Sequence, residues 1–279
     1  MNSPSFIIFF TAHIIGDYYL QNNRLAKSKE KNIKHLVVHG ILYSIPYLIL
    51  FLLSAKSVLF FYACLTAIIL HFVIDLLKYF FCKLYLTKKR HSSIQVIKCF
   101  LYLFDQGLHI LTILLIIFFW GSTLKPINGL RDFLKFFHFD TIDTIKWILL
   151  VLLMYKPVNI TFNKIFSSYK PLPMDSDILS NENCVLLASS IDKDKKKTDV
   201  IYHTNSNNRK AGAVIGFLER ILILILINIG QFSAIGLVLT AKSIARYEMI
   251  SKDQEFGEYY LIGTFTSVLS AILAYYLVI

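Results

Sequence analysis

Charge is scarce in this 279-residue chain: Asp, Glu, Lys and Arg make up 17%, against the roughly one quarter expected of a soluble domain. A soluble core is thereby excluded. Cysteine is equally sparse, and Cys64, Cys82, Cys99 and Cys184 show no paired spacing, so neither a disulfide framework nor a thiolate metal site is indicated. Alternating apolar and polar residues are also missing, which argues against a membrane barrel. What replaces them is 56% hydrophobic residues gathered into continuous runs, a composition that excludes intrinsic disorder.

Those runs read as helices of bilayer length, since ~30 Å of hydrocarbon needs about twenty residues. They fall at Phe6 to Leu20, Leu36 to Ser54, Val58 to Cys82, Ile94 to Trp120, Ile145 to Tyr155, Ala213 to Ala245 and Tyr260 to Ile279. Pro157 interrupts the fifth, which makes it the weakest. The run Ala213 to Ala245 exceeds one crossing and fits two with a tight turn near Asn228 to Gln231. The expected fold is all-α, a polytopic transmembrane bundle of seven or eight helices with a polar cytoplasmic insertion. Its parts are an N-terminal bundle over 1–162, the insertion over 163–210 and C-terminal helices over 211–279.

A net charge of +11 first suggests a nucleic-acid partner. The basic residues instead flank apolar spans and no nucleic-acid motif accompanies them, so none is expected and the surplus reads as positive cytoplasmic loops. Arg24, Lys27, Lys29, Lys31 and Lys34 follow the first span, and Lys83, Lys88, Lys89 and Arg90 the third. Both loops are placed inside and the N-terminus outside, as in a multi-pass protein of an inner membrane.

The chemistry lies within the spans. Three of them carry a His and an Asp four residues apart: His13 with Asp17, His71 with Asp75, and Asp105 with His109. That spacing puts both side chains on one helix face. Counting from Arg24, Lys83 and Lys98, the carboxylates lie 7, 8 and 7 residues in, at a common depth of ~10 to 12 Å. The histidines lie 11, 12 and 11 residues in, and His39, 5 residues from Lys34, is shallower. An ionised Asp at a helix centre costs at least ~2.5 kcal/mol, so three at one level must be paired, neutralised or metal-bound.

A mixed His/Asp set suits a divalent transition metal such as Zn or Mn. His13, Asp17, His71, Asp75, Asp105 and His109 are the candidate ligands, with His39 or Glu219 completing the shell. Lys242, Arg246 and Arg220 are candidates for neutralising an anionic substrate. Lys78 is expected to snorkel to the headgroups, and Tyr18, Tyr19, Tyr43 and Tyr47 to anchor at the interface.

The stretches His13 to Gln21, His71 to Lys78, Asp105 to His109, Gly216 to Arg220, Ala241 to Arg246 and Glu258 to Thr264 resemble a bacterial membrane-protein family, domain of unknown function 3307. The resemblance implies a multispanning inner-membrane protein and no particular activity. The His-x-x-x-Asp motif alone is loosely similar to inner-membrane metal-dependent hydrolases. The expected function is a membrane-embedded metal-dependent hydrolase acting from the cytoplasmic leaflet on an anionic or lipid-like substrate. The competing reading is a transporter or proton/cation carrier using the same buried cluster. Membrane lipid is the expected partner, and a homo-oligomer is compatible with this reading.

Overall fold

The computed structural model describes residues 3–54, 57–85, 91–121, 140–166, 169 and 196–279, with side chains of 85, 91–95 and 196–211 left aside. Most of the expected insertion, and the basic residues Lys88, Lys89 and Arg90, lie outside the described residues. Every regular element among the described residues is helical. In chain order they are α1 (Pro4–Ile14), a π turn (Ile15–Tyr19), α2 (Asn23–Ser28), α3 (Ile33–Leu53), α4 (Val58–Tyr85), α5 (His91–Trp120) and α6 (Thr141–Ile165). Then come α7 (Lys196–Asn228), α8 (Phe232–Ala245), α9 (Tyr247–Lys252) and α10 (Gln254–Val278).

Short polar side chains set the helix starts by taking backbone N–H groups that have no partner within the helix. Asn22 accepts from Leu25 N at 2.7 Å, Asn32 from Lys34 N at 2.9 Å, and Asp140 from Ile142 N at 2.8 Å. Proline opens α1, where its missing donor costs nothing. Pro157 does not end α6 as the sequence suggests: the helix runs through it to Ile165, and the residue is buried. One lost backbone bond is tolerated where neighbouring packing holds the helix in place.

Five helices, α3, α4, α5, α6 and α10, contain segments long and apolar enough to cross a membrane. Their burial pattern is inverted relative to a soluble protein. On α3 the buried face is Leu36, His39, Tyr43 and Tyr47, while Ile41, Leu48 and Leu52 are exposed. On α4 His71, Asp75 and Tyr79 point inward while Ile69, Val73 and Leu77 are exposed. Polar side chains inside and aliphatic ones outside are what a lipid solvent selects.

The chain divides into two compact units, Met1–Ile160 with Leu273–Ile279, and Thr161–Ile272. In the first, α1 contacts α3 and α5, while α4 packs against both α3 and α5. With its π turn, α1 has eleven plus five residues, a length of ~24 Å that falls short of a full crossing. It is buried over nearly its whole length, from Ser5 to Ile14 apart from Phe10. A helix apolar all round belongs in a core.

In the second unit α7 and α8 form a helical hairpin closed at Ile229–Gln231. Gly230 takes φ 73°, a left-handed conformation that favours glycine. The 33-residue apolar run is therefore two helical arms, with the turn where the sequence places it. The arm α8 has 14 residues, ~21 Å, less than a bilayer crossing.

Candidate functional site

The first unit brings together the side chains of His13, Asp17, His39, His71, Asp75, Asp105 and His109, each no more than 5% exposed. They come from α1, the π turn, α3, α4 and α5. The π turn is where Asp17 departs from ordinary helix: Leu20 N bonds Ile15 O at 3.0 Å, one residue further back than in an α-helix. The wider turn shifts Asp17 relative to His13, so spacing alone does not specify their shared face. Gly16, in the same turn, allows close approach of α3, since a Cβ there would stand 2.7 Å from Tyr43 Cδ2.

The carboxylates and imidazoles form two trios. Ligand atoms of Asp17, His39 and His71 lie within 4.8 Å of one another, as do those of Asp75, Asp105 and His109. Asp75 also links the trios: its Oδ2 is 3.3 Å from His39 Nε2, and its Oδ1 is 4.0 Å from His109 Nε2. His39 therefore meets the carboxylates, consistent with its shallower depth in the sequence. The rings of His71 and His109 stack at 4.3 Å, and Tyr43 stacks on His71 at 3.4 Å.

Two lysines enter this set. Lys29 Nζ lies 3.3 Å from Asp17 Oδ1, 3.1 Å from Asp75 Oδ2 and 2.9 Å from His39 Nε2. Two of its N–H groups thus have carboxylate acceptors, and the ammonium also meets the His39 ring nitrogen. Burial lowers the pKa of this loop ammonium, but Asp75 and Asp17 more than offset that and hold it above the ordinary lysine value. Lys78 Nζ lies 2.8 Å from Asp105 Oδ2. Lys78 does not snorkel as its sequence position suggests, because a buried carboxylate within reach is a better partner than headgroups at the end of the stem.

Tyrosines form a second layer. Tyr47 OH donates to Phe9 O at 3.3 Å, so its oxygen accepts from Tyr43 OH at 3.0 Å. Tyr43 oxygen then accepts from His13 Nδ1 at 3.1 Å. This chain assigns the Nδ1–H tautomer to His13 and leaves the Nε2 lone pair without a hydrogen bond. On the other side, Tyr18 OH donates to Gln106 Oε1 at 2.9 Å, and Gln106 Nε2 donates to Asp17 Oδ2 at 3.0 Å. Tyr18, Tyr43 and Tyr47 are thus buried hydrogen-bonding groups instead of the interfacial anchors expected. Tyr43 and Tyr47 follow His39 at i+4 and i+8, the periodicity that could have revealed them. Lys29 had no such signal, because it looks like one more basic loop residue.

Glu219, Arg220, Lys242 and Arg246 belong to the second unit. Glu219 Oε2 takes Lys242 Nζ at 2.7 Å, and Lys242 also stands 5.3 Å over the Tyr260 ring. Arg220 is buried with Nη1 3.4 Å from Ser267 Oγ. Arg246 is exposed and contacts Met249. The structure thus groups seven of the expected site residues in one cluster and records the other four through separate contacts.

His71 and His109 are the chemically telling residues. Both ring nitrogens of each, together with Asp105 Oδ1, are buried without a hydrogen bond among the described residues. Unsatisfied buried polar atoms are costly, so five of them in one cluster call for a cation, water or another polar ligand. Imidazole nitrogen with carboxylate oxygen fits a divalent transition metal.

Residues 5–131 match the family described as Protein of unknown function (DUF3307). All seven clustered residues, with Lys29, Lys78 and the tyrosine layer, fall inside this DUF3307 segment. The match covers less than half of the chain, and the three resembling stretches beyond Gly216 lie outside it. No curated protein and no solved structure matches the chain.

Proposed function

We propose that the His/Asp cluster is a divalent transition-metal centre, and that the protein is a membrane-embedded hydrolase acting from the cytoplasmic leaflet on an anionic or lipid-like substrate. The observation that carries this reading is the set of unsatisfied ring nitrogens on His71 and His109 beside three carboxylates. Imidazole–carboxylate pairs that served only to hold helices together would have turned their N–H groups onto acceptors. A bound ion supplies a nucleophilic hydroxide at neutral pH by lowering the pKa of its water towards ~7. The chain itself supplies ligands, a fixed His13 tautomer and lysine charge.

A second reading, a cation or proton carrier, draws support from the burial of the cluster, since a hydrolase must also admit water and substrate. Elemental analysis of the purified protein discriminates between them. The hydrolase requires stoichiometric transition metal that disappears in Asp75→Ala and His109→Ala. Absence of metal, together with proton or cation flux in proteoliposomes, puts the carrier ahead.

A further inference from the structure

Lys29 occupies a position suited to an ion. Its ammonium faces Asp17 Oδ1, Asp75 Oδ2 and His39 Nε2, two carboxylate oxygens and one imidazole nitrogen, at 2.9 to 3.3 Å. The His39 nitrogen has a single lone pair, which an ammonium and a metal cannot share, and at these distances a dication among the three atoms would also stand within repulsive reach of the ammonium. We propose that Lys29 is a tethered cation that holds this position until a divalent transition-metal ion displaces it, and that the Asn22–Asn32 segment carries it out. The proposal rests on the metal reading above.

Charge supports displacement over addition. With neutral imidazoles, Asp17, Asp75 and Asp105 against Lys29 and Lys78 leave one negative charge in the buried set. A dication replacing the Lys29 ammonium brings that set to neutrality, whereas one added beside it leaves a buried positive excess, which is costly in low dielectric. Lys29 takes Asp75 Oδ2, while Asp75 Oδ1 and Asp105 Oδ1 stand 4.0 and 3.6 Å from His109 Nε2, so the second trio keeps its ligands in either state.

The segment is built to move at low cost. Of the residues from Asn22 to Asn32 only Lys29 is buried, and α2 contributes no buried side chain. Asn22 and Asn32 cap the helices at its two ends, so the chain between them can shift without unravelling α3. A small crevice lined by Lys29, Glu30, Leu36, Asp75, Lys78 and Tyr79 runs beside the lysine. It shares Asp75 with the cluster and is the path that withdrawal would widen.

Amine acetylation of the full-length protein in detergent, read by mass spectrometry with and without Co²⁺, tests this. Lys27 and Lys31, both exposed, serve as internal references. Without Co²⁺, Lys29 reacts about tenfold or more slowly than either, because the buried amine must first open to solvent. With Co²⁺ bound, as seen in its visible absorption, Lys29 reacts at a rate close to theirs. In parallel, Lys29→Met binds Co²⁺ about tenfold or more tightly than the wild type, since no internal cation competes. Bound Co²⁺ with Lys29 still protected overturns the displacement and leaves the metal centre standing. No Co²⁺ binding by either protein overturns both.

Discussion

The two units place their ion pairs in different surroundings. In the first, Asp17 and Asp75 have side chains 6% and 3% exposed and share one lysine and one histidine. In the second, the Glu219–Lys242 pair is 17% and 23% exposed, a single contact between two helices of a hairpin. A partly exposed pair contributes little and is easily replaced. A dry network satisfies several charges at once, and removing one member strands the rest. The difference has a physical meaning: holding helices together needs only the second kind of pair, whereas the first, with unsatisfied nitrogens beside it, invites a ligand.

Asp75→Ala separates the two units most strongly. It leaves Lys29 facing one carboxylate fewer and His39 without its link to the second trio, so a loss of about 3–5 kcal/mol is expected in unfolding measured in detergent. Asp75→Asn, which keeps the shape, costs less but still removes metal. A shift near zero for the alanine variant would place the first unit in the same class as the second.

Next in size is a pair of glycines. Gly16→Ala drives a Cβ against Tyr43, a ring held by its stack on His71, and a loss of about 1–3 kcal/mol is expected. Gly236→Ala in α8 meets nothing within 4 Å and is exposed. A gain of up to ~1 kcal/mol follows from helix propensity alone. Thermal shifts of opposite sign confirm the contrast, and equal signs break it.

Tyr43→Phe keeps the ring and removes the hydroxyl that fixes His13. About 1 kcal/mol of stability goes with the hydrogen bonds. Metal affinity falls about 10- to 100-fold, as when the partner orienting a ligating histidine is lost. Calorimetric titration with Co²⁺ reads both the affinity and any loss of sites. The smallest effect belongs to Glu219→Gln, at most ~1 kcal/mol with bound metal unchanged. A loss of metal in that variant would tie the second unit to the centre.

Much of the first unit was legible because two periodicities coincide. A four-residue interval places His and Asp on one face, and distance from a basic residue gives depth, so His71, Asp75, Asp105 and His109 follow from counting. Asp17 was legible as a residue but not in its geometry, since the π turn at Ile15–Tyr19 has no sequence periodicity of its own. Lys29 was hidden because a loop has no face to compute. Tyr43 and Tyr47 carried the right spacing from His39 but shared their residue type with the anchors found near membrane surfaces. For α6, Pro157 reads in the sequence as a break that the structure does not have, because tertiary packing rather than local propensity holds a membrane helix in place. In the second unit the turn at Gly230 was readable from glycine and polar neighbours, whereas the pairing of Glu219 with Lys242 required the hairpin itself.

Imidazoles and carboxylates from separate helices are proposed to hold a metal ion jointly. Cobalt K-edge X-ray absorption of the protein loaded with Co²⁺ tests it most directly. Nitrogen and oxygen ligands at about 2.0–2.1 Å are expected, with the outer-shell signature of imidazole, lost in His71→Ala with His109→Ala. A spectrum indistinguishable from hydrated Co²⁺ in the same buffer would contradict it.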